Sequence, residues 1–305
     1  MATITFAGLD GNLRLAAMIE NEVRATLADM ASIRNSGALL FAGDVANIGS
    51  DSIRLRYANW GAATPFATAA DGADVASATL TPSTVDLTVG RSALRYDITD
   101  LAVMSGLGAD VDPFSLAANM SASAEARINE VICATFASAA QSIGTSGVNM
   151  SVDDFFDAMF FLELGSNDGG FAAVLHPQQL SDLVDSLRSE SNNALAYAPA
   201  TAEMMAIKGQ GYAGSMLGVD IFKSSYVEES GGNKIGAMFS KGVAYAVGTP
   251  RPLAGAGAEI RPAGTPVVIA FQRDESAGLT EIVGHLYCGA AITEQARICK
   301  IVTDA

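Results

Sequence analysis

Apolar positions recur along the chain with two periods, and the switches between them divide it into parts. From Asn12 to about Ile33, the residues Leu15, Ile19, Val23, Leu27 and Met30 fall every three or four positions, the spacing of one helix face. Glu20 and Arg24 lie off that stripe at i, i+4, where they support the helix. Gly37 and Gly43 then interrupt a short apolar stretch. One apolar stripe with loose flanks fits an arm docking on a larger body, or the first helix of a core.

The period then changes to two. Ile53, Leu55 and Tyr57 alternate with Arg54 and Arg56, and Val85, Leu87 and Val89 alternate with Asp86 and Thr88. These are strands with two unlike faces. Between them, Trp60 to Pro82 is rich in Ala, Gly, Thr and Asp and keeps no period. The reading is a long two-stranded excursion with a loose tip. Such a hairpin is marginal in water, and no further strand follows nearby in sequence. A neighbouring subunit is therefore expected to cover it, with a contact inside the chain as the other option.

Helical spacing returns at 112–143. Asp112 suits an N-cap and Pro113 a first helical position. Phe114, Ala117, Met120, Ala124, Ile128, Ile132, Phe136, Ala139 and Ile143 keep the period, with Asn119, Ser123, Glu125, Arg127 and Glu130 opposite them. A helix over 113–143 is predicted, a rod of roughly 46 Å at ~1.5 Å per residue, stopped by Gly144. Its small apolar residues suit close packing on a sheet.

Ser151 and Asp154 resemble a capping box opening a helix to Leu164. Phe171–Leu175 reads as a short buried strand, Pro177–Ser189 as a helix and Glu203–Ile207 as another. A Gly-rich turn (Gly209–Gly214) and a strand (Val219–Val227) follow. After Lys234 strands dominate: Ile235–Phe239, Ala244–Val247, Val267–Phe271, Leu279–Cys288 and Arg297–Val302. Asp274–Gly278 forms a hairpin loop between two of them. Helices and strands in mixed order make the fold class α+β.

Composition narrows the function. The 305 residues carry 18 Lys+Arg against 33 Asp+Glu, a net charge of −15. So acidic a chain does not bind nucleic acid or an anionic membrane through its field alone. An apolar fraction of 50 % excludes a disordered chain, and the length allows about three quarters of the unfolded surface to be buried. Cys133, Cys288 and Cys299 show no Cys-x-x-Cys spacing and read as reduced thiols of a cytosolic protein. The opening Met-Ala-Thr-Ile-Thr-Phe lacks a basic and an apolar region, so no secretory leader is expected. No apolar run nears the ~18 residues of a membrane span.

Candidate chemistry is sparse. Gly209-Gln-Gly211-Tyr-Ala-Gly214 matches G-x-G-x-x-G, but a helix precedes it and a strand follows, the reverse of a phosphate-binding loop. His176 and His285, the two histidines, have no second ligand at i+2 to i+4 and read as structural. Asp153, Asp154 and Asp157 suit a first helical turn. No Gly-x-Ser-x-Gly elbow and no P-loop occur. Two Asn-Met-Ser triplets, at 119 and 149, read as chance matches to the glycosylation pattern. No catalytic, cofactor or metal residues are expected, and the chain is not read as an enzyme. All five lysines lie at or after Lys208, so Arg54, Arg56, Arg91 and Arg95 are the cations of the excursion. Arginine suits interfaces because its fork engages carboxylates bidentately.

In this order the parts resemble the major capsid protein of tailed bacteriophages, the Hong Kong 97-like fold. Arg95-Tyr-Asp-Ile-Thr-Asp-Leu-Ala102 is similar to the return from that family's extended loop (E-loop). Val174-Leu-His-Pro-Gln-Gln-Leu180 is similar to a helix start, Gly214-Ser-Met-Leu-Gly-Val-Asp-Ile-Phe222 to a strand, and Glu281–Ala291, with Tyr287-Cys-Gly289, to the closing strand. The resemblance implies an N-terminal arm at 1–50 and an E-loop at 51–98. It implies a peripheral (P) domain at 99–149 and 255–305, with a spine helix at 113–143, and an axial (A) domain at 150–254.

The family's E-loop lies across the neighbouring P-domain. Arg54, Arg56, Arg91, Arg95 and Trp60 are therefore inter-subunit candidates, with Glu125 and Glu130 as their acids. The implied function is a structural subunit that assembles into hexamers and pentamers of an icosahedral head. That head would be part of the virion and assemble in the host cytoplasm. It would enclose double-stranded DNA without specific binding and make no membrane contact. Scaffolding, portal and cement or decoration proteins are the further partners it implies, and a separate scaffold is expected unless the sequence is already mature. One member of the family joins an E-loop lysine to a P-domain asparagine. Residues 51–98 contain no lysine, so denaturing gels are expected to show no covalent ladder, and a ladder would refute this. The alternatives are an encapsulin-type bacterial compartment and, more distantly, a soluble α/β enzyme.

Overall fold

The computed structural model describes residues 33–45, 50–58, 82–104, 113–165, 170–189, 197–209, 211–249, 258–260 and 266–304, with isolated positions at 68, 71 and 74. The stripe from Leu15 to Met30, Trp60 and the cap at Asp112 lie outside these residues.

The excursion is a two-stranded ribbon. Strand β2 (Ser52–Ala58) pairs antiparallel with β3 (Pro82–Thr88), in register from Ser52↔Thr88 to Ala58↔Pro82. After Val89 the chain enters β4 (Gly90–Thr99), which leaves the ribbon and joins a six-stranded sheet. There β1 (Leu40–Asp44), β12 (Val243–Val247), β15 (Leu279–Ile292), β14 (Val267–Asp274) and β13 (Ala258–Ile260) lie side by side, and β4 pairs with β15. The β4–β15 register runs unbroken from Gly90↔Cys288 to Thr99↔Leu279.

The root of the ribbon is seated on this chain's own sheet, so the cover is internal there. Leu87 is fully buried with Ala244 and Ala246, and Ile53, Leu55, Val89, Ala42 and Ala291 close around them. Sequence reading finds no nearby cover because Ala244, Ala246 and Ala291 lie some 150 to 200 positions further on. Gly289 makes the contact close. A Cβ there would stand 2.1 Å from the Thr88 carbonyl oxygen and 3.2 Å from Val89 Cα.

The central helix, α2 (Pro113–Ala134), follows the short helix α1 (Asp100–Met104). Met120, Ala124, Ile128 and Ile132 share one core with Val267, Ile269, Ile282 and Leu286 of the six-stranded sheet. The helix has 22 residues and ends at Ala134, short of the 143 that the spacing predicts. Thr135 Oγ1 donates to the Ile132 carbonyl at 2.7 Å and Ser138 Oγ to the Thr135 carbonyl at 2.7 Å. These bonds tighten the end into a 3₁₀ turn, and Ala139 is extended. The chain then reaches β5 (Ser142–Ile143). The apolar period outlasts the helix because Phe136, fully buried, belongs to the same core.

The other face of that core is an eight-stranded sheet in the order β5, β16 (Ile298–Asp304), β11 (Asn233–Phe239), β6 (Ala172–Leu175), β9 (Val219–Lys223), β8 (Tyr212–Met216), β7 (Tyr197–Pro199), with β10 (Glu228–Ser230) on β11. Strand β6 is buried on both faces. Ala172 and Val174 belong to the α2 core, and Ala173 and Leu175 to a second core under α3 (Val152–Gly165) and α4 (Pro177–Ser189). In that second core Phe155, Ala158, Leu162, Leu183 and Leu187 meet Ile221, Met238, Cys299 and Ile301. The capping box forms: Asp154 N donates to Ser151 Oγ at 3.2 Å, and Ser151 N to Asp154 Oδ2 at 2.9 Å. Gln179 is wholly buried and satisfied, its amide donating to Ile301 O and Thr303 Oγ1 and its Oε1 accepting from His176 N.

The two sheets exchange strands across position 254/255. Strand β12 belongs to the sheet of β14 and β15, whereas β16 belongs to the sheet of β6 and β9.

Candidate functional site

Alternation along β2 and β3 puts Ile53, Leu55, Val85 and Leu87 on the seated face and Arg54, Arg56, Thr84 and Asp86 on the other. Arg54 forks onto Asp86 directly across the ribbon, Nε to Oδ1 at 2.7 Å and Nη2 to Oδ2 at 3.0 Å. The Arg54 hydrogen bonds hold the Asp86 carboxyl below the usual carboxylate range. Arg56, exposed opposite Thr84, has no ion-pair partner among the described residues.

A second charged row lies on the outward face of β4 and β15. Arg95 reaches Asp97 at 2.6 Å and Glu281 at 2.8 Å, and so bridges two carboxylates that the register places opposite each other. Arg91 Nη2 lies 3.3 Å from His285 Nδ1. Where β4 enters α1, Arg273 of β14 clamps Asp100 with two bonds of 2.6 Å, and its guanidinium holds the Asp100 carboxyl low.

The two acids on α2 differ. Glu130 is exposed and pairs with Arg127 one turn away at 2.7 Å. Glu125 is buried and takes both arms of Arg34, near the start of the described residues. Burial pushes the Glu125 carboxyl up, against the opposing pull of Arg34. Arg34 lies where the stripe of 12–33 ends, outside any motif, and sequence reading gives it no role. Of the candidates, Arg54, Arg95, Glu125 and Glu130 thus have ion-pair partners within the chain, Arg91 touches a histidine, Arg56 is open, and Trp60 lies outside the described residues.

Groups with chemical reach are occupied structurally. Burial pushes the Cys133 and Cys299 thiols up to about 12 and the Cys288 thiol up as well, which leaves them thiols and not nucleophiles. His176 Nδ1 accepts from Gln178 N at the start of α4. The glycine loop follows α5 (Ala202–Lys208) and leads into β8, the reverse order for a phosphate cradle. Among the described residues, no group of three or more His, Cys, Asp or Glu could hold a metal ion. No helix there is long and apolar enough to cross a membrane. A cleft of about 340 Å³ opens between α2 and the strands β4, β14 and β15. Its walls include Leu94, Met120, Ala124, Val267 and Leu286, so its character is that of an apolar seat.

Several large apolar side chains stand in solvent at positions no motif marks. They include Leu101 and Met104 on α1, Phe160 and Leu164 on α3, and Met204, Met205 and Ile207 on α5. The run Phe155, Phe156, Phe160, Phe161 in α3 is the signal that could have found one of these faces, since a helix apolar all round is covered on every side.

No protein-family model matches the chain, and no curated protein matches it. Solved structures do. The capsid of the cyanophage P-SCSP1u matches 90 % of this chain and 88 % of its own, with a TM-score of 0.59 and 12 % identity. The holo-SrpI encapsulin complex of Synechococcus elongatus matches over 87 % and 86 %, with a TM-score of 0.61 and 12 % identity. A virus-like particle from Pyrococcus furiosus matches over 94 % and 98 %, with a TM-score of 0.54 and 12 % identity. The chain has the Hong Kong 97-like α+β fold that the sequence resemblance implies.

Proposed function

We propose that this chain is a structural shell subunit and no enzyme, and that copies of it assemble into hexamers and pentamers of an icosahedral phage head. The observation that carries this is the ribbon β2–β3: it has two strands only, a seated root, and an outward face of arginine. A two-stranded ribbon is marginal in water and is stabilised when another surface covers it. In this reading 1–50 is the arm, 51–98 the E-loop, 99–149 with 255–305 the P-domain and 150–254 the A-domain. The ribbon crosses a neighbouring copy with Arg54, Arg56 and Trp60, and Arg91 and Arg95 meet that copy from the outward face of β4, where β4 lies in the six-stranded sheet. Glu130 on α2 is the exposed acid for it to meet, and Glu125 is committed to Arg34.

The charge of −15 suits the task. Packaged double-stranded DNA lies against a wall that does not grip its phosphates, and salt confines the repulsion to about 8–10 Å. Portal, scaffolding and cement proteins complete the head, which assembles in the host cytoplasm and persists in the virion. The similarity to an encapsulin supports a second reading, a compartment around an enzyme. Packaged nucleic acid favours the first and a protein cargo the second.

The purified full chain is expected to elute from size exclusion at megadalton mass and to show closed shells by electron microscopy. A monomer or dimer at high concentration refutes the proposal. In the Arg54→Glu/Arg56→Glu variant, the new carboxylate at position 54 faces Asp86 and the ribbon opposes its acidic seat on the neighbour. Like charges at a contact cost several kcal/mol, so particle yield should fall by at least roughly tenfold while far-ultraviolet circular dichroism stays unchanged. Normal particles from this variant would remove the ribbon's charged face from the assembly contact.

A further inference from the structure

Helix α5 is fastened at its two ends and bare between them. Just before it, Ala200 N donates to Ala213 O, and Thr201 caps it by accepting from Met204 N. At its last residue, Lys208 pairs with Asp220 of β9 and stands over the Tyr212 ring. None of its seven residues is buried, and Ile207 is 73 % exposed beside Met204 and Met205. So short a helix is unstable in water without packing. One element already touches it, the Arg34–Ser36 turn. That turn is anchored: Ile33 is fully buried in the core of α2, and Arg34 grips Glu125 of α2 with both arms. The chain leading into it carries the stripe Leu15, Ile19, Val23, Leu27 and Met30, an apolar face that requires a seat. Met30 precedes Arg34 by four positions and Leu27 by seven, roughly 6 and 10 Å along a helix. Ten ångströms is about the length of α5 itself.

We infer that the segment 12–32 folds back on its own chain and seats the end of its stripe, Val23, Leu27 and Met30, against Met204, Met205 and Ile207. The occupant is this segment because the turn that delivers it already rests on α5. The bare outer face of α3, with Phe160 and Leu164, is not its seat. Helix α3 covers the second core, on the face of the eight-stranded sheet opposite the core that holds Ile33. The seat joins the arm to α5 as well as to α2, and it stands independently of the shell reading.

Two measurements on the full chain test this. In the Val23→Asp/Leu27→Asp variant, amide hydrogen exchange across 202–208 is expected to speed up by at least roughly tenfold, while exchange across α4, in the second core, stays unchanged. Unchanged exchange across 202–208 overturns the seat. If α4 loses protection too, the aspartates have unfolded the chain, and the second measurement decides alone. There, Leu27→Cys is combined with Ile207→Cys and treated with a short bis-maleimide. The native thiols are buried and give little background. The expected product runs at the monomer band and yields the linked 27–207 peptide by mass spectrometry. Leu27→Cys with Leu164→Cys is expected to link at least roughly tenfold less, since its thiols are not held together. Equal yields from the two pairs, or no 27–207 link, overturn the seat. A link that appears as a dimer band places the arm on a second copy and overturns the seat within the chain. Particles scored separately by electron microscopy, present or absent, bear on the shell reading alone.

Discussion

Arg34→Ala is expected to cost about 3–5 kcal/mol of stability at neutral pH, because it leaves the Glu125 carboxylate buried without its counter-charge. Glu125 is 2 % exposed and is held between α2 and the entry of the described chain by both arms of Arg34. Tyr245 and Cys288 sense the pair and offer no charge, since burial pushes both groups up. The carboxyl is itself raised above its ordinary 4.5 by desolvation, which outweighs Arg34. A raised folded-state pKa means that this group favours folding below its unfolded value, and that the contribution is lost as pH rises through the folded value.

Two outcomes follow for urea unfolding. The deficit of Arg34→Ala should shrink as pH falls toward 4.5, and Glu125→Gln should cost far less than Arg34→Ala at pH 7 while removing that pH dependence. A deficit that does not change with pH, or a Glu125→Gln variant as damaged as Arg34→Ala, contradicts the buried-charge account.

Gly289→Val should detach the ribbon. Its added carbons would enter the space of Thr88 O and Val89 Cα, at 2.1 and 3.2 Å from the Cβ position. Both are backbone atoms, so no rotamer change relieves the overlap. Overpacking costs about 1–3 kcal/mol, sometimes more. The strain falls where β3 passes into β4, so the direction of the ribbon changes as well. Lowered thermal stability together with loss of closed particles is expected. Gly90→Ala serves as the control, because the nearest atom to its new Cβ is 4.0 Å away. Equal, mild effects at 289 and 90 would show that the ribbon's seat is not fixed by this contact.

Local pattern carried a good part of the fold. The alternation at 53–57, the capping pair Ser151 and Asp154 and the Pro177 helix start became the elements they predict, and the buried run 171–175 became a strand over 172–175. Misreadings arose where one apolar period runs through several elements. Phe136, Ala139 and Ile143 keep a helical period while the backbone turns from helix to 3₁₀ turn to strand, since each must face apolar neighbours whatever its conformation. The candidate arginines were legible by residue type, but their partners were not. Asp86 lies across a ribbon, Glu281 enters from a strand near the other end of the chain, and Glu125 was taken by an arginine outside every motif.

The sequence by itself determined where most of the helices and the longer strands lie, that a two-faced ribbon leaves the body, and that no catalytic motif marks the chain. These follow from periodicity and residue chemistry, which act over a few neighbouring positions. Tertiary structure decided the strand orders of both sheets, the internal seat beneath Leu87, and which apolar side chains of α3 and α5 stay exposed. Those are long-range facts, set by which apolar surfaces find each other once the chain closes on itself. A short-range pattern specifies that a face is apolar without naming what will cover it.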